Sequence, residues 1–445
     1  MTFTSSCIKD EGKEYVVTLR KGLRWSDGEP FTADDVVFTY QYITNPTVQA
    51  TSSAAYANIS HVEALDDYTV KVNLKEWSNQ VLPFIGRLSW AVFSPTAYEQ
   101  MGADALAVNP VGTGAWKLKS FQPNQSMVLE KNPDYWDKAG GPYLDKAVFR
   151  AIPENSVRFL ELKTGNIHIC QFPNAADIPL AQKDPNMKLV SQPGMNIGYL
   201  SFNHTKEPWK SNVKLRKAIA HAINRKAIVD NIYQGQGQLA KNHIPPIMWG
   251  YNDQVPMIEY SLDKAKALLA EAGFPEGKGL DEITLWCMPV ARPYNPEGLK
   301  VGVAMVADLA KIGVKARIVS YEWGTYLKRQ REQPPDMDLF QLGWTGDNGD
   351  PDNFLAVLYD GLASNAVRTQ WQNAEYHSLM EQGRQTFDQA KRTEIYKKAQ
   401  QLMYDEMPVI PVAHSTQTWP MLKKVQDFKL HPTASIRLKN VWLEK

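Results

Sequence analysis

Ile283-Thr284-Leu285-Trp286 reads as a strand, and Met288-Pro289 then begins a loop through Arg292-Pro293-Tyr294-Asn295-Pro296. A helical pattern follows, with Val303, Val306 and Leu309 on its inward face and a stop at Gly313. Residues 314–321 and 337–343 read as two further strands. Strand, helix, strand at this spacing predicts a βαβ unit, and so a mainly parallel sheet covered by helices. Ligands of open α/β sheets bind outside the carboxyl ends of the strands. Arg292 lies just past the first of these strands and Asp347 just past the third, so both are expected on one edge of the sheet.

The flanking sequence agrees with a mixed α/β chain. Thr32-Ala33-Asp34-Asp35 carries a capping-box signature for a helix to about Ile43. Glu14 to Leu19 and Asp67 to Leu74 alternate with period two, as half-buried strands do. Ser211 is expected to cap a helix with Val213, Ala218, Ile219, Ala222 and Ile223 on one face. Another helix should open at Tyr260-Ser261-Leu262-Asp263, carry Ala265, Leu268, Leu269 and Ala272, and stop at Gly273.

The 445 residues suggest roughly three modules at about 150 residues each. Lys and Arg total 49 against 48 Asp and Glu, a net charge of +1, and no basic stripe is visible; a general nucleic-acid binder is not expected. No run approaches the roughly 20 apolar residues that a spanning helix needs. Cys7, Cys170 and Cys287 are far apart and form no CxxC, so neither a disulfide framework nor a zinc site is expected. Aromatic residues make up 11% of the chain, which fits large cores and also a cleft floored by rings. Met1 to Cys7 has no apolar leader pattern.

Gly343-Trp344-Thr345-Gly346-Asp347-Asn348-Gly349-Asp350-Pro351-Asp352-Asn353-Phe354 is the most unusual stretch. Its acids fail the calcium-loop spacing, because Gly349 and Pro351 stand where ligands are needed. Asp350 and Asp352 are expected in an acidic turn closed by Asx-type bonds. Asp347, after an apolar strand and beside Trp344, is a candidate for holding an ammonium group by charge and cation–π attraction. Arg292, flanked by Pro293, suits bidentate capture of a carboxylate; a solvent-exposed loop arginine is the plain alternative. Gly235-x-Gly237-x-x-Ala240 follows a helical pattern rather than a strand and is not a dinucleotide fingerprint. There is no HExxH, nucleophile elbow or phosphate loop, and so no catalytic residue, metal site or cofactor is expected.

These residues resemble the periplasmic dipeptide-binding proteins of ABC importers, within the wider peptide/nickel/glutathione solute-binding family. Leu19-Arg20-Lys21-Gly22, Trp25-Ser26-Asp27-Gly28, Phe31 to Val36, Asn109 to Gly114 and Asn132-Pro133-Asp134-Tyr135-Trp136 carry the wider pattern. Met288-Pro289, Arg292 to Pro296, Tyr321-Glu322-Trp323-Gly324 and Gly343 to Phe354 are similar to the dipeptide branch. The resemblance implies a two-lobed α/β periplasmic-binding-protein fold with mixed sheets, a hinge, and an extra subdomain over about 1–118. The first lobe would span 1–197 and 418–445 and the second 198–417, with crossings near Gly194–Gly198 and His414–Gln417. Asp347 would hold the α-ammonium of a dipeptide and Arg292 its carboxylate. Tyr294, Trp323 and Trp344 would line side-chain pockets, with backbone around Thr345 and Gly346 pairing the peptide main chain. The implied protein is a monomeric, non-enzymatic periplasmic receptor that delivers dipeptides to an ABC permease and meets the membrane only through it. Glutathione or haem capture is the alternative, and a peptidase-like enzyme a weaker one. Such proteins begin with a signal peptide and further strands before the Leu-Arg-Lys-Gly stretch, so a missing front is expected. Arg331-Glu332-Gln333-Pro334-Pro335 should lengthen a surface loop.

Overall fold

The computed structural model describes residues 3–9, 13–48, 50, 53–79, 91–332, 336–363 and 368–444. The chain forms two compact units. One holds Met1–Glu154, Lys423–Lys429 and Ile436–Lys445; the other holds Asn155–Leu422 and Leu430–Ser435. The lobe divisions expected at 197/198 and 417/418 fall inside strands of the second unit.

In the first unit, strands β1 (Phe3–Lys9), β2 (Glu14–Leu19), β3 (Ile59–Asp66) and β4 (Thr69–Leu74) form an antiparallel sheet in the order β1-β2-β4-β3. Tyr15, Val17 and Leu19 alternate onto the buried face of β2, as the period-two pattern requires. The helix Ala33–Thr44 packs there through Ala33 and Ile43. Asp35 closes its capping box by accepting the Thr32 N–H at 2.8 Å, and it also accepts the Trp25 indole at 3.1 Å. Asp67 and Tyr68 form a turn, so the predicted strand starts two residues late. A meander of β5 (Trp116–Gln122), β6 (Ser126–Lys131) and β7 (Lys146–Arg150) completes the N-terminal part.

The second unit is built on a seven-stranded sheet. It contains β8 (Met187–Pro193), β9 (Asn196–Phe202), β10 (Gly237–Leu239), β11 (Ile283–Trp286), β12 (Ala316–Val319), β13 (Leu339–Thr345) and β14 (Val409–Leu422). The order is β10-β14-β9-β13-β11-β12, with β8 against the far half of β14. β11 pairs in parallel with both β12 and β13, the predicted βαβ arrangement, but the other four pairings of this sheet are antiparallel, so it is mixed and not mainly parallel as expected. Every residue of β9 is buried, as expected of a central strand.

Three sequence expectations shift. The helix Gly298–Ala310 turns Val301, Met305 and Leu309 inward, one per turn; Val303 sits about 200° around from Val301 and is 60% exposed. Gly302 lets that helix approach the sheet, because a Cβ there would lie 2.1 Å from Cys287 Sγ. Asn212 rather than Ser211 caps the helix Val213–Ala222, its side chain accepting the Leu215 N–H at 3.0 Å. Ser261 and Gly273 do bound the helix Leu262–Glu271, with Gly273 at φ +95°. Arg331 and Glu332 end the helix Trp323–Glu332, and Gln333-Pro334-Pro335 lie outside the described residues. Cys170 and Cys287 are buried free thiols, and burial pushes them up to about 11 and about 12; the Cys7 side chain lies outside the described residues.

Candidate ligand-binding site

Because β11 and β13 run parallel, their carboxyl ends open on one sheet edge, and the loops after them carry Arg292 and Asp347. Arg292 and Asn295 exchange main-chain hydrogen bonds of 3.0 Å in each direction, a tight turn over Pro293-Tyr294. The Arg292 guanidinium donates through Nη1 to the Ala291 carbonyl at 3.0 Å and stands 4.9 Å over the Trp323 ring. Trp323 in turn stacks on Tyr326, with 5.7 Å between ring centres and 16° between planes. Tyr326 is buried, and its hydroxyl reaches the Gln341 and Trp286 carbonyls at 2.5 and 3.1 Å. Arg292 is thus aimed by a stack rooted in β11 and β13.

Tyr294 is buried beneath the edge. Its ring occupies space that a Cβ on Gly343 would fill, at 2.1 Å from Cδ2, and its carbonyl accepts the Tyr233 hydroxyl at 2.8 Å. Burial pushes its phenol up to about 12.

Asp347 is exposed at the turn after β13. Its main-chain N–H donates to Asn353 Oδ1 at 2.9 Å, and its Oδ2 accepts Asn353 Nδ2 at 3.3 Å. The same Asn353 Oδ1 accepts the Trp344 indole at 3.1 Å. Asn353, only 2% exposed in the first turn of the helix Asp352–Tyr359, therefore fixes both expected site residues. It lies in the unusual Gly343–Phe354 stretch, but no signal there singles it out from its neighbours. Asp350 and Asp352 belong to the expected Asx turn, through Asn348 Oδ1 to Asp350 N at 3.1 Å and Asp350 Oδ1 to Asp352 N at 3.0 Å. Both carboxylates are also spent on arginines, Arg392 at 2.9 Å and Arg384 at 2.8 Å.

Thr345 ends β13 opposite Asn196, and the Gly346 N–H donates to the Met195 carbonyl at 2.8 Å. This ties the Asp347 turn to the link between β8 and β9. Asn196 joins that link to β14: its Oδ1 accepts the Ser415 N–H at 2.8 Å, and its Nδ2 donates to the Ser415 carbonyl at 3.2 Å. His414 Nδ1 donates to the Asn196 carbonyl at 2.8 Å. Sequence reading places the two residues in the two expected crossings but does not show that they bond to each other, since neither carries a pattern of its own.

A cavity of about 330 Å³ opens at the same loop. Arg292, Pro293, Phe172, Ile178, Ile232 and Trp419 are among its lining; Asp347, Trp344, Thr345, Gly346, Tyr294 and Trp323 are not. The structure therefore brings Arg292 together with Trp323, and Asp347 with Trp344, as two clusters on one edge. Among the described residues no group of histidines, cysteines and acids is placed to hold a metal ion, and no helix is long and apolar enough to cross a membrane.

The chain is 38% identical over 463 residues to the dipeptide-binding protein of Escherichia coli K12, a match spanning 98% of this chain and 84% of that protein. It is 40% identical to di/tripeptide-binding protein 3 of Pseudomonas aeruginosa UCBPP-PA14, over 96% of this chain and 83% of that one. A dipeptide-binding protein from Pseudoalteromonas sp. SM9913, solved in complex with Met-Leu, superposes with a TM-score of 0.90 at 29% identity, covering 99% of this chain and 90% of that one. The expected fold of periplasmic binding proteins is thus the one observed. The model of bacterial extracellular solute-binding proteins, family 5, matches residues 3–366, and with relatives this similar along nearly the whole of this chain it belongs to that family of solute receptors, which are not enzymes.

Proposed function

We propose that this protein captures dipeptides, with Arg292 pairing the terminal carboxylate and Asp347 the α-ammonium, and hands them to an ABC permease from the periplasm. The observation that carries this reading is Arg292 itself: a guanidinium braced on Trp323, lining a cavity on the sheet edge that also bears Asp347. An extended dipeptide spans at most about 7 Å, so opposite charges at its two ends act as a ruler for length. Trp344 and Tyr294 fit the role of walls near the ligand, and the main chain at Thr345 and Gly346 that of partners for its peptide bond. The lobes in this reading are 1–197 with 418–445, and 198–417. They bend at Gly194–Gly198 and His414–Gln417, where the Asn196–Ser415 clamp lies. The receptor acts as a monomer.

Calorimetry with free, N-acetylated and amidated dipeptides tests the proposal. Free dipeptides should bind at least about a hundredfold more tightly than either blocked form, because each block leaves a charged side chain unpaired. Equal affinities for all three would refute it.

A further inference from the structure

Phe172 lies between the helices Asn155–Lys163 and Asp177–Lys183 with φ of +53°. A bulky residue in this left-handed region is a genuine outlier, and such conformations persist only where neighbours over-determine them. The neighbour here is Arg158. Its Nε donates to the Gln171 carbonyl at 3.0 Å and its Nη2 to the Phe172 carbonyl at 2.9 Å. Nη2 also donates to Asn155 Oδ1 at 2.5 Å. One guanidinium therefore holds two successive carbonyls in place. Glycine or asparagine would adopt this backbone at lower cost, so what position 172 contributes is its ring.

That ring meets Trp419 edge-on, at 6.0 Å between centres and 75° between planes, and both residues line the cavity that contains Arg292. Ile178, Ile232 and Pro293 extend the apolar surface. Lys300 also lines the cavity, but it is paired with Glu297 at 2.9 Å. A cavity of about 330 Å³ is within the range of small-molecule sites, roughly 300–1,000 Å³.

We propose that Phe172, with Trp419 behind it, determines specificity for the C-terminal residue of the ligand and favours a large apolar side chain there. This rests on Arg292 holding the terminal carboxylate. Carboxylate and C-terminal side chain leave the same Cα, so a carboxylate at Arg292 delivers that side chain into the cavity Arg292 lines. The N-terminal side chain is one residue further along, towards Asp347, which does not line this cavity.

The test is calorimetry on the full chain with Ala-Ala, Ala-Phe, Phe-Ala and Ala-Glu. Ala-Phe should bind about tenfold or more tighter than the other three, the usual scale for filling an apolar pocket. Phe172→Gly should cut the Ala-Phe to Ala-Ala ratio to within about threefold; its melting temperature reports separately on relief of the positive φ against loss of the Trp419 contact. A purely structural Phe172 would leave the ratio unchanged, whatever the shift in stability. If Phe172→Gly does not fold, Phe172→Asn, which also tolerates this backbone, carries the same comparison. Phe-Ala or Ala-Glu binding as well as Ala-Phe, or an unchanged ratio in a folded variant, overturns the inference. Failure of the underlying reading looks different, since amidated dipeptides would then bind as well as free ones.

Discussion

Asn353 and Asp347 are joined twice: Asn353 Oδ1 accepts the Asp347 main-chain N–H at 2.9 Å, and Asn353 Nδ2 donates to Asp347 Oδ2 at 3.3 Å. Since the same Oδ1 also takes the Trp344 indole proton, one carboxamide sets the Asp347 backbone, its carboxylate and the adjacent ring. A flexible acidic side chain on a surface turn becomes a positioned anion by this means. Pre-positioning lowers the ordering cost of binding an ammonium group.

Asn353→Leu removes that support while keeping approximate volume. The Asp347 N–H and the Trp344 indole lose their acceptor, which should cost about 1–3 kcal/mol of stability per unsatisfied donor. Free dipeptides should bind at least about tenfold more weakly, whereas N-acetylated dipeptides, already lacking the ammonium, should change little. Titrating both ligands into the variant checks this. Equal losses for both would mean that Asn353 supports the fold and not Asp347.

Arg292 gives a second prediction, from its stacking. Arg292→Lys keeps the charge but loses the planar fork and the face-on contact with Trp323, so it should recover little of the affinity lost in Arg292→Ala. Trp323→Leu leaves the guanidinium without its brace and should weaken binding by about threefold to thirtyfold, on the scale of a cation–π contact of about 0.5–2 kcal/mol. Lysine restoring full affinity would show that charge alone is read at this position.

The βαβ unit, both loops after its strands, and the capped helices at Ala33 and Leu262 were legible in the sequence. Each rests on a local signal: period-two alternation, an N-cap, or a glycine at positive φ. Val303 was misjudged because the helix has apolar residues on more than one face, and periodicity does not say which of them meets the sheet. At the site, Arg292 and Asp347 were visible as charges at strand ends. Asn353, Asn196 and Phe172 were not. Asn196 and Phe172 act through partners distant in sequence, as with Ser415, which lies 219 residues from Asn196; Asn353 has near partners, Asp347 and Trp344, but only the folded turn brings its carboxamide to both.

The Asn196–Ser415 clamp supplies a third prediction. A Cβ on Gly194 would lie 2.1 Å from Asn196 Nδ2 and 2.6 Å from the Ser415 carbonyl, the latter main chain, so the clamp itself would have to shift. Gly194→Ala should therefore destabilise by about 1–3 kcal/mol, as overpacking does. It should also weaken dipeptide binding, because Met195, the next residue, anchors the Gly346 N–H beside Asp347. Urea denaturation and calorimetry on one sample measure both effects. A variant with unaltered stability would show that the clamp has room to shift.

Acid should weaken this protein well above the ordinary carboxylate range. His204, His243 and His414 are buried, and burial lowers them from about 6.5 to about 3, about 3 and about 4. Two of the rings donate an N–H to a main-chain carbonyl, His204 Nε2 to Pro408 and His414 Nδ1 to Asn196, both at 2.8 Å; these bonds raise the rings' affinity for protons, and burial outweighs them. Below about pH 6.5 the unfolded chain takes up protons that the native state refuses, so stability rises with pH there and falls on acidification. The loss begins near the unfolded value and accumulates until the native rings themselves protonate, near pH 4 to 3. Three imidazoles at about 1.4 kcal/mol per pH unit each amount to about 4 kcal/mol between pH 7 and pH 5.5, a large part of a typical folding free energy of about 5–15 kcal/mol. Urea denaturation across that interval should show the decline. His204→Gln, whose side-chain amide can still donate to Pro408, should remove about a third of the slope. A stability that stays flat from pH 7 to pH 5.5 would mean that burial does not hold these rings neutral in the native state.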